Sequence, residues 1–248
     1  MGLAVVILTR NEEKNIRAAI ESASFADEII VIDSGSTDGT EAIAKELGAK
    51  FFSRAMDEAG FAGQRNFALE VAASDWIFYL DADERIPAGG EAIIRTAMKE
   101  RAAYSVARES MVMGRAIRHG VYRPDRVVRL FPKEAVHWVG KVHERAECSL
   151  PEKALDMTLA HYTNADWAQY FQKFNEYTTL MAERMAEHGK HVGFIAMLAH
   201  ALYAFIYTYF IRLGFLDGKA GLILCLNHGF YTLTKYVKLA EINDGERR

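Results

Sequence analysis

Nine residues in the first half of the chain, D-W-I-F-Y-L-D-A-D at positions 75–83, constrain the fold most. The apolar run from Trp76 to Leu80 predicts a buried strand, and two carboxylates, Asp81 and Asp83, follow it directly. In an open α/β sheet, ligands bind outside the carboxyl ends of the strands. Two acids at such a place suit a hard divalent cation, which prefers oxygen ligands. The alternative is a polar loop that only caps a helix beginning at Pro87.

Three more apolar runs precede this one and predict further buried strands. They occupy residues 3–8, Glu28–Asp33 and Lys50–Ser53, and segments with helical spacing or helix-capping residues separate them. The order β-α-β-α-β-α-β predicts an α/β fold with a mostly parallel sheet and right-handed crossovers.

Polar side chains stand at the carboxyl end of each main strand. They are Thr9 and Asn11 after the first strand, Asp33 and Ser34 after the second, and Asp81 and Asp83 after the fourth. Because the carboxyl ends of parallel strands lie on one edge of a sheet, we expect a single cleft lined by all three. Neither G-x-G-x-x-G nor G-x-x-x-x-G-K-[ST] follows the first strand, which disfavours the common dinucleotide and P-loop sites.

The pattern changes after residue 100, where residues 104–108 and 127–131 predict strands without intervening helices. Residues 101–145 contain ten Lys/Arg and four Asp/Glu. This basic segment is either a solvated face or a surface on which Arg123, Arg126 and Arg129 meet anionic substrate groups, since the guanidinium fork suits phosphate.

The chain becomes helical after residue 161, with helices predicted over residues 166–188, 192–210 and 221–239. The second is near the minimum length for a membrane span, but its three tyrosines favour an interfacial or packed helix. We expect a helical hairpin that packs on the catalytic domain or dips into a membrane face; core packing alone and a true span remain open. The sequence thus predicts a catalytic domain over 1–160 and a helical region over 161–248.

Charge, cysteine spacing and the N-terminal sequence argue against a nucleic-acid partner, a disulfide framework and a secretory signal. The net charge of −3 over 248 residues gives no global bias towards nucleic acid. The two cysteines, Cys148 and Cys225, lie far apart and lack metal-ligand spacing, which argues against a disulfide framework. The apolar N-terminus is short and lacks a basic lead, so it does not resemble a secretory signal. We expect a cytoplasmic protein, with the inner face of the cytoplasmic membrane as a surface that its helices could contact.

Three motifs resemble those of the family 2 inverting glycosyltransferases of GT-A fold: V-V-I-L-T-R-N-E-E-x-N-I, V-I-D-S-G-S-T-D-G-T and F-Y-L-D-A-D-E-R. Four later motifs resemble the subgroup that acts as lipopolysaccharide-core β-1,4-glucosyltransferases. They are R-P-D-R-V-V-R-L-F (123–131), V-G-K-V-H-E (139–144), L-A-H-Y (159–162) and F-L-D-G-K-A-G-L (215–222). The resemblance implies a UDP-sugar donor such as UDP-glucose, Mg²⁺ or Mn²⁺ as cofactor, and a glycan or glycolipid acceptor.

The resemblance also implies residues that hold the donor. Thr9, Asn11 and Glu12 are expected beside the nucleoside, Asp33 and Ser34 near the base or ribose, and Arg65 at the diphosphate or nucleoside. Many members of the family carry a second acid where this chain has Ser34, so a carboxylate contact from that position to the uracil ring is not expected here.

In the metal site, the resemblance makes Asp83 the cation ligand, while Asp81 touches the ribose or completes the ligand shell. His161, in L-A-H-Y, is either a third ligand or a structural histidine at the junction of the two regions. Imidazole is compatible with Mn²⁺ and less natural for Mg²⁺.

The base that deprotonates the acceptor is predicted at Glu144, where V-H-E matches the position of the acidic base in other members. His143 is its rival, because its unperturbed pKa of about 6.5 suits the role. Alternation along a strand would place the two side chains on opposite faces. A transferase with a polyprenyl-phosphate or protein acceptor, and a non-catalytic nucleotide-sugar-binding protein, are the alternative functions.

Overall fold

A computed structural model describes residues 1–140, 144–164 and 166–245. The chain forms two compact units. The sheet unit comprises Met1–Arg108 and Asp125–His161, and the helical unit comprises Glu109–Pro124 and Tyr162–Arg248. Residues 109–124 thus cluster with the helical residues. The functional division of the chain at residue 160 stays a prediction.

Four parallel strands form one half of the central sheet. They are β1 (Leu3–Thr9), β2 (Glu28–Asp33), β3 (Lys50–Ser53) and β4 (Trp76–Asp81), in the spatial order β3-β2-β1-β4. Each neighbouring pair is parallel. The connecting helices are α1 (Ile16–Ser22), α2 (Thr40–Glu46) and α3 (Gly60–Val71). This half matches the predicted β-α-β pattern.

Alternate side chains of these strands enter two different cores, one on each face of the sheet. On one face, Val5, Ile7 and Phe78 pack with α1, α2 and α4 (Gly90–Ala97). On the other face, Val6 and Tyr79 pack with α3. Because both faces are covered, the strands appear in the sequence as continuous apolar runs.

The second half of the sheet is antiparallel. Its strands are β5 (Glu84–Arg85), β6 (Ala103–Val112), β7 (Arg115–Ile117), β8 (Asp125–Pro132) and β11 (Glu152–Asn164), while β9 (Val136–Val139) and β10 (Arg145–Cys148) form a separate pair. Strand β8 pairs with β4 and β6 pairs with β8. Strands joined without a crossover helix pair in this antiparallel manner. The predicted α/β fold class is confirmed, and the helix expected over residues 87–100 is the shorter α4.

Three helices dominate the helical unit: α5 (Trp167–Glu187), α6 (Phe194–Ile206) and α7 (Gly218–Gly245), with one π-helical turn over Tyr207–Ile211. The motif F-L-D-G-K-A-G-L spans the turn before α7 and the start of α7, and it has a packing role. A Cβ on Gly221 would lie 1.9 Å from the carbonyl oxygen of Gly214, so no larger residue fits. Asp217 accepts hydrogen bonds from the backbone N–H groups of Arg118 (3.2 Å) and His119 (2.8 Å).

Candidate functional site

The strand register brings the predicted polar residues to one edge of the sheet. Thr9 lies opposite Asp33, and Leu8 lies opposite Asp81. The carboxyl ends of β1, β2 and β4 are therefore neighbours. Ligands of open α/β sheets bind at such an edge.

Asp33 and Asn11 tie together the loops that follow β1 and β2. The buried carboxylate of Asp33 accepts hydrogen bonds from the backbone N–H groups of Gly35 (2.9 Å) and Ser36 (2.8 Å) and from the Ser36 hydroxyl. Asn11 has a left-handed backbone (φ 55°), and its side-chain oxygen accepts a hydrogen bond from the Thr37 N–H (2.7 Å). The side chains of Asp33 and Asn11 thus stabilise the conformations of these two loops through hydrogen bonds to their backbone.

Thr9, Ser34 and Glu12 lie close to these loops. The Ser34 N–H donates to the carbonyl of Thr9 (2.9 Å). The Thr9 hydroxyl is buried and has no hydrogen-bond partner among the described residues. The Glu12 N–H donates to the Thr40 hydroxyl (2.9 Å), and the Glu12 carboxylate accepts a hydrogen bond from Asn15 (2.8 Å).

Three arginines surround the first acid of the D-A-D motif. Asp81 lies 2.5 Å from Arg129 Nη2, 3.6 Å from Arg65 Nη2 and 3.9 Å from Arg108 Nη1. Burial alone would raise the pKa of Asp81, but the charges of Arg129 and Arg65 and the hydrogen bonds from Arg129 hold that pKa well below its usual range. Asp81 is therefore an ionised, charge-compensated carboxylate.

Glu84 is a site residue that the sequence interpretation missed. It is fully buried, lies 2.6 Å from Arg129 and 3.2 Å from Arg108, and accepts a hydrogen bond from the Asp81 N–H (3.0 Å). Burial raises the pKa of Glu84, and Arg129 opposes that shift only in part. Burial by itself lowers the pKa of Arg129, but the charges of Asp81 and Glu84 raise it overall. Charged residues are almost never fully buried unless they are paired, as here.

Asp83 and His161 meet because the short strand β5 pairs with β11. In that register His161 lies opposite Glu84, and Ala160 lies opposite Arg85. His161 Nε2 is 3.3 Å from Asp83 Oδ2. Burial by itself lowers the pKa of His161, but the hydrogen bond and the charge of Asp83 more than offset it, so the pKa is raised.

The donor set of Asp83 and His161 fits a divalent cation. One carboxylate and one imidazole are ligands that Mn²⁺ accepts, and a cation of this kind also takes oxygen ligands from substrate phosphates. Within the described residues, no group of three or more His, Cys, Asp or Glu side chains could hold a metal ion. Among the described residues of this site, Asp83 and His161 are thus the candidate ligands, because Asp81 is already paired with arginine.

Arg65 lies over two aromatic rings that pack edge-to-face against each other. Its guanidinium carbon lies 4.5 Å from the ring centroid of Trp138 and 5.2 Å from that of Tyr79. Its Nε is 3.6 Å from Glu144 Oε1, an ion contact that links Glu144 to Asp81 through Arg65. Within the described part of the chain, its buried Nε and Nη1 have no hydrogen-bond partner. Burial lowers the pKa of Arg65, which the charge of Asp81 opposes.

Glu144 is positioned by the β9–β10 pair. Strand β9 is fixed to α3 by a reciprocal pair of hydrogen bonds: Asn66 donates to the carbonyl of Trp138 (2.8 Å), and the Trp138 N–H donates to Asn66 (2.9 Å). Arg145, the first residue of β10, pairs with Val139 of β9. Glu144 directly precedes β10 and is partly exposed. The rival base, His143, lies outside the described residues.

The basic segment has several roles. Arg129 is buried within the acid cluster, so a solvated face is the wrong interpretation for that residue. Arg126 donates to the backbone carbonyls of Ser105 (3.0 Å) and Leu155 (3.3 Å). Asp125 and Arg108 form a two-bond ion pair, at 3.0 and 2.6 Å.

Comparisons with known proteins identify the family of the chain. Residues 4–135 match the family model described as Glycosyl transferase family 2. A lipopolysaccharide core biosynthesis glycosyltransferase of Rhizobium meliloti is 33% identical over 233 residues, covering 88% of this chain and 82% of the relative. An uncharacterized glycosyltransferase of Rickettsia typhi is 27% identical over 258 residues, covering 97% of this chain and 87% of the relative. Among solved structures, glucosyl-3-phosphoglycerate synthase from Mycobacterium tuberculosis is 26% identical, with a TM-score of 0.34, and the match covers 46% of this chain and 44% of that chain.

Proposed function

The chain belongs to glycosyl transferase family 2, and we propose that it moves a hexose, glucose as the first candidate, from a UDP-sugar to a hydroxyl of a lipopolysaccharide-core or similar glycan, with inversion at the transferred carbon. One observation carries the proposal. Asp83 and His161 lie 3.3 Å apart beside Asp81, and Arg65 connects Asp81 to Glu144. Two possible cation ligands and a candidate base thus belong to one connected site.

Asp83 and His161 would hold Mg²⁺ or Mn²⁺ in this proposal. Bound there, the cation supplies a Lewis acid that neutralises the leaving diphosphate. Asp81 is kept ionised by Arg129, so it adds negative charge without needing a proton to be removed at neutral pH. Its placement at the end of β4 also suits a contact with the donor ribose.

Glu144 would act as the base. In an inverting transfer the acceptor hydroxyl attacks the sugar carbon on the face opposite the diphosphate and gives up its proton as the new bond forms. One carboxylate suffices for that step, because the leaving group is a phosphate and needs no protein acid, unlike the leaving alcohol in inverting hydrolases. Arg65 would orient Glu144 through their 3.6 Å contact.

The loops after β1 and β2 would hold the nucleoside. Thr9, Asn11 and Glu12 line one side and Asp33 and Ser34 the other, as the family resemblance implies. Since both oxygens of Asp33 accept hydrogen bonds from its own loop, Asp33 would fix the shape of the nucleoside pocket. Arg65, with two buried N–H positions unpaired within the described chain, is suited to the donor diphosphate.

The acceptor class rests on two supports. One is the resemblance of the four later motifs, and the other is the Rhizobium meliloti relative, whose name refers to lipopolysaccharide core biosynthesis. Such an acceptor and a UDP-sugar would meet in the cytoplasm, which is the location we propose.

A donor and acceptor screen tests the proposal. Purified protein is incubated with radiolabelled UDP-hexoses, with Mg²⁺, Mn²⁺ or EDTA, and with lipopolysaccharide-core, polyprenyl-phosphate or peptide acceptors. We expect transfer from UDP-glucose to the lipopolysaccharide core only when a divalent cation is present. Label on another acceptor would correct the acceptor class, and the absence of turnover of every UDP-hexose would contradict the proposal.

A matched pair of variants localises the activity. Asp83→Asn should lower transfer by about 100-fold or more, because a cation contributes several kcal/mol to transition-state stabilisation. Asp75→Asn is the control, since Asp75 is an exposed aspartate that precedes the opposite end of β4 and should leave transfer unchanged. Equal activity of the two variants would remove Asp83 from the site.

A further inference from the structure

The helical unit carries an apolar surface that no described residue covers. Ile195, Leu198, Leu202 and Ile206 are all more than 40% exposed. Their spacing of three and four residues places them on one side of α6. The segment Phe194–Ile211 has a mean hydropathy of 1.7, and only 11% of it is buried. A helix that only packed in a core would bury this side.

The surface continues onto α7, which packs against α6. Leu222, Leu226 and Phe230 follow one another at intervals of four residues, and each is more than a third exposed. Helical residues four apart are neighbours on one face. Extended exposed apolar patches mark interaction sites rather than ordinary protein surface.

An apolar pocket opens beside this face within the helical unit. Its volume is about 190 Å³. It is lined by Val112, Met113, Arg115, Ile117, Trp167, Lys219, Ala220, Ile223 and Leu224. Trp167 and Ile223 are 40% and 44% exposed, so the pocket is open to its surroundings. Placing a hydrocarbon group against this lining is favourable, because it removes apolar surface from water. The pocket therefore suits a hydrocarbon group.

Two cations belong to the pocket wall. Arg115 and Lys219 are both exposed, and neither forms an ion pair with any residue that the structure describes. A hydrocarbon pocket flanked by two unpaired cations fits an amphiphile with an apolar tail and an anionic head. Arginine and lysine both bind phosphate, arginine through its planar fork.

The formal charge of α6, α7 and the segment between them is also positive. Residues 194–245 contain four Lys/Arg and three acids; two of these acids, Glu241 and Asp244, lie near the end of α7, and the third is Asp217. That acid is turned inward, where it accepts the His119 N–H and contacts the His119 ring nitrogen at 3.0 Å. The exposed apolar face is therefore accompanied by uncompensated positive charge. Basic residues next to an apolar helix face attract anionic lipid surfaces.

We propose that the helical unit binds the surface of a bilayer, with α6 and the start of α7 lying in the interface. The pocket binds an acyl chain of an anionic phospholipid, and Arg115 and Lys219 hold the phosphate of that lipid. Trp167, at the pocket mouth, is the kind of residue that is enriched at the level of lipid headgroups. This binding goes beyond the proposed sugar transfer, because it needs neither donor nor metal.

Vesicle flotation tests the surface. The full chain, with EDTA and without nucleotide, is mixed with vesicles of phosphatidylcholine alone or with added phosphatidylglycerol. We expect flotation with the anionic vesicles and weaker flotation with the neutral ones or at high salt. Ile223→Asp should abolish it. Leu180→Asp is the control, because Leu180 of α5 is 58% exposed and does not line the pocket, and this variant should float like the parent.

The two cations are tested in the same assay. Lys219→Ala should lower the vesicle partition coefficient by about fivefold, the contribution of one cation near an anionic surface. Arg184→Ala is the control, because Arg184 is an exposed arginine of α5 that is not part of the pocket. Equal losses in the two variants would show general charge attraction and would overturn the headgroup site.

Tryptophan quenching tests the pocket itself. The chain has three tryptophans, and Trp76 and Trp138 are buried. Phosphatidylglycerol with brominated acyl chains should therefore quench only Trp167, and Trp167→Phe should eliminate the quenching. Protein that remains soluble with anionic vesicles at low salt would overturn the proposal. So would flotation without quenching, or a dimer in solution that Ile223→Asp dissociates while no vesicle binding occurs.

Discussion

Replacing Arg129 by methionine tests how the acid cluster is held together. Arg129 is buried and forms ion pairs of 2.5 Å with Asp81 and 2.6 Å with Glu84. Its loss leaves the fully buried Glu84 with Arg108, at 3.2 Å, and the Asp81 N–H, at 3.0 Å, as its partners among the described residues. Breaking a buried ion pair from one side costs about 3–5 kcal/mol, because the remaining charge stays desolvated. We expect Arg129→Met to lower the free energy of unfolding by that amount, out of a total of about 5–15 kcal/mol for a domain.

The assay is urea unfolding followed by tryptophan emission. A Trp167→Phe background leaves Trp76 and Trp138, which are both buried in the sheet unit, so the signal reports on that unit. The midpoint should fall while the slope of the transition stays unchanged, because a loss of stability alone does not change the surface exposed on unfolding.

Two further variants make the test specific. Arg126→Met, on the same strand, removes an exposed guanidinium that donates only to backbone carbonyls, and it should cost about 1 kcal/mol. Adding Glu84→Gln to Arg129→Met should recover part of the lost stability, since the residue left buried is then neutral. A loss below about 1 kcal/mol in Arg129→Met, or a double variant less stable than the single one, would refute this reasoning.

Three other predictions concern the metal, acid stability and helix packing. His161→Ala should weaken Mn²⁺ binding in the presence of UDP by about tenfold or more in titration calorimetry, and unchanged affinity would remove His161 from the site. Burial raises the pKa of Glu28, but its bonds to Lys50 and Ser74 lower it overall; its contribution to stability is therefore present above pH 4.5 and lost as the pH falls through the lowered pKa. Glu28→Gln should flatten that acid-side loss in unfolding curves, and a curve as steep as the parent's would contradict it. Gly221→Ala should destabilise the helical unit by about 3 kcal/mol, measured by helix circular dichroism, whereas Gly245→Ala, which meets nothing within 4 Å, should change stability by less than about 1 kcal/mol.

The polar edge of the sheet could be predicted from the sequence, because each strand and the polar residues at its end are contiguous in the chain. Apolar runs ending in polar residues identified β1, β2 and β4, and parallel pairing then places Thr9, Asp33 and Asp81 side by side. The family resemblance is confirmed, and the structure has the predicted α/β sheet. The resemblance was carried by the same loops that follow these strands.

The ion network could not be predicted, because it joins residues that are distant in the chain and have no shared pattern. Glu84 and Arg129 are 45 residues apart, and they meet because β8 adds antiparallel to β4. A charge count over the basic segment treats Arg129 like its exposed neighbours. The sequence signal for Arg129 was its place in the motif R-P-D-R-V-V-R-L-F.

Side-chain contacts within the helical unit could not be predicted from the sequence either. His119 and Asp217 are 98 residues apart, and the motif that contains Asp217 gave no sign that it caps a distant backbone segment. By contrast, the apolar character of α6 was visible from composition. What composition could not show is which side of that helix remains uncovered, because burial depends on the packing of α7.

The central claim, that Glu144 is the base of a site whose other end binds the UDP-sugar, is tested most directly by single-turnover transfer with Glu144→Gln. Donor affinity is measured in parallel by titration with UDP-glucose and Mn²⁺. The account predicts unchanged donor affinity and a transfer rate lowered by about 10²–10⁴-fold, the contribution of a general base. A Glu144→Gln protein that transfers the sugar at the parental rate would contradict it.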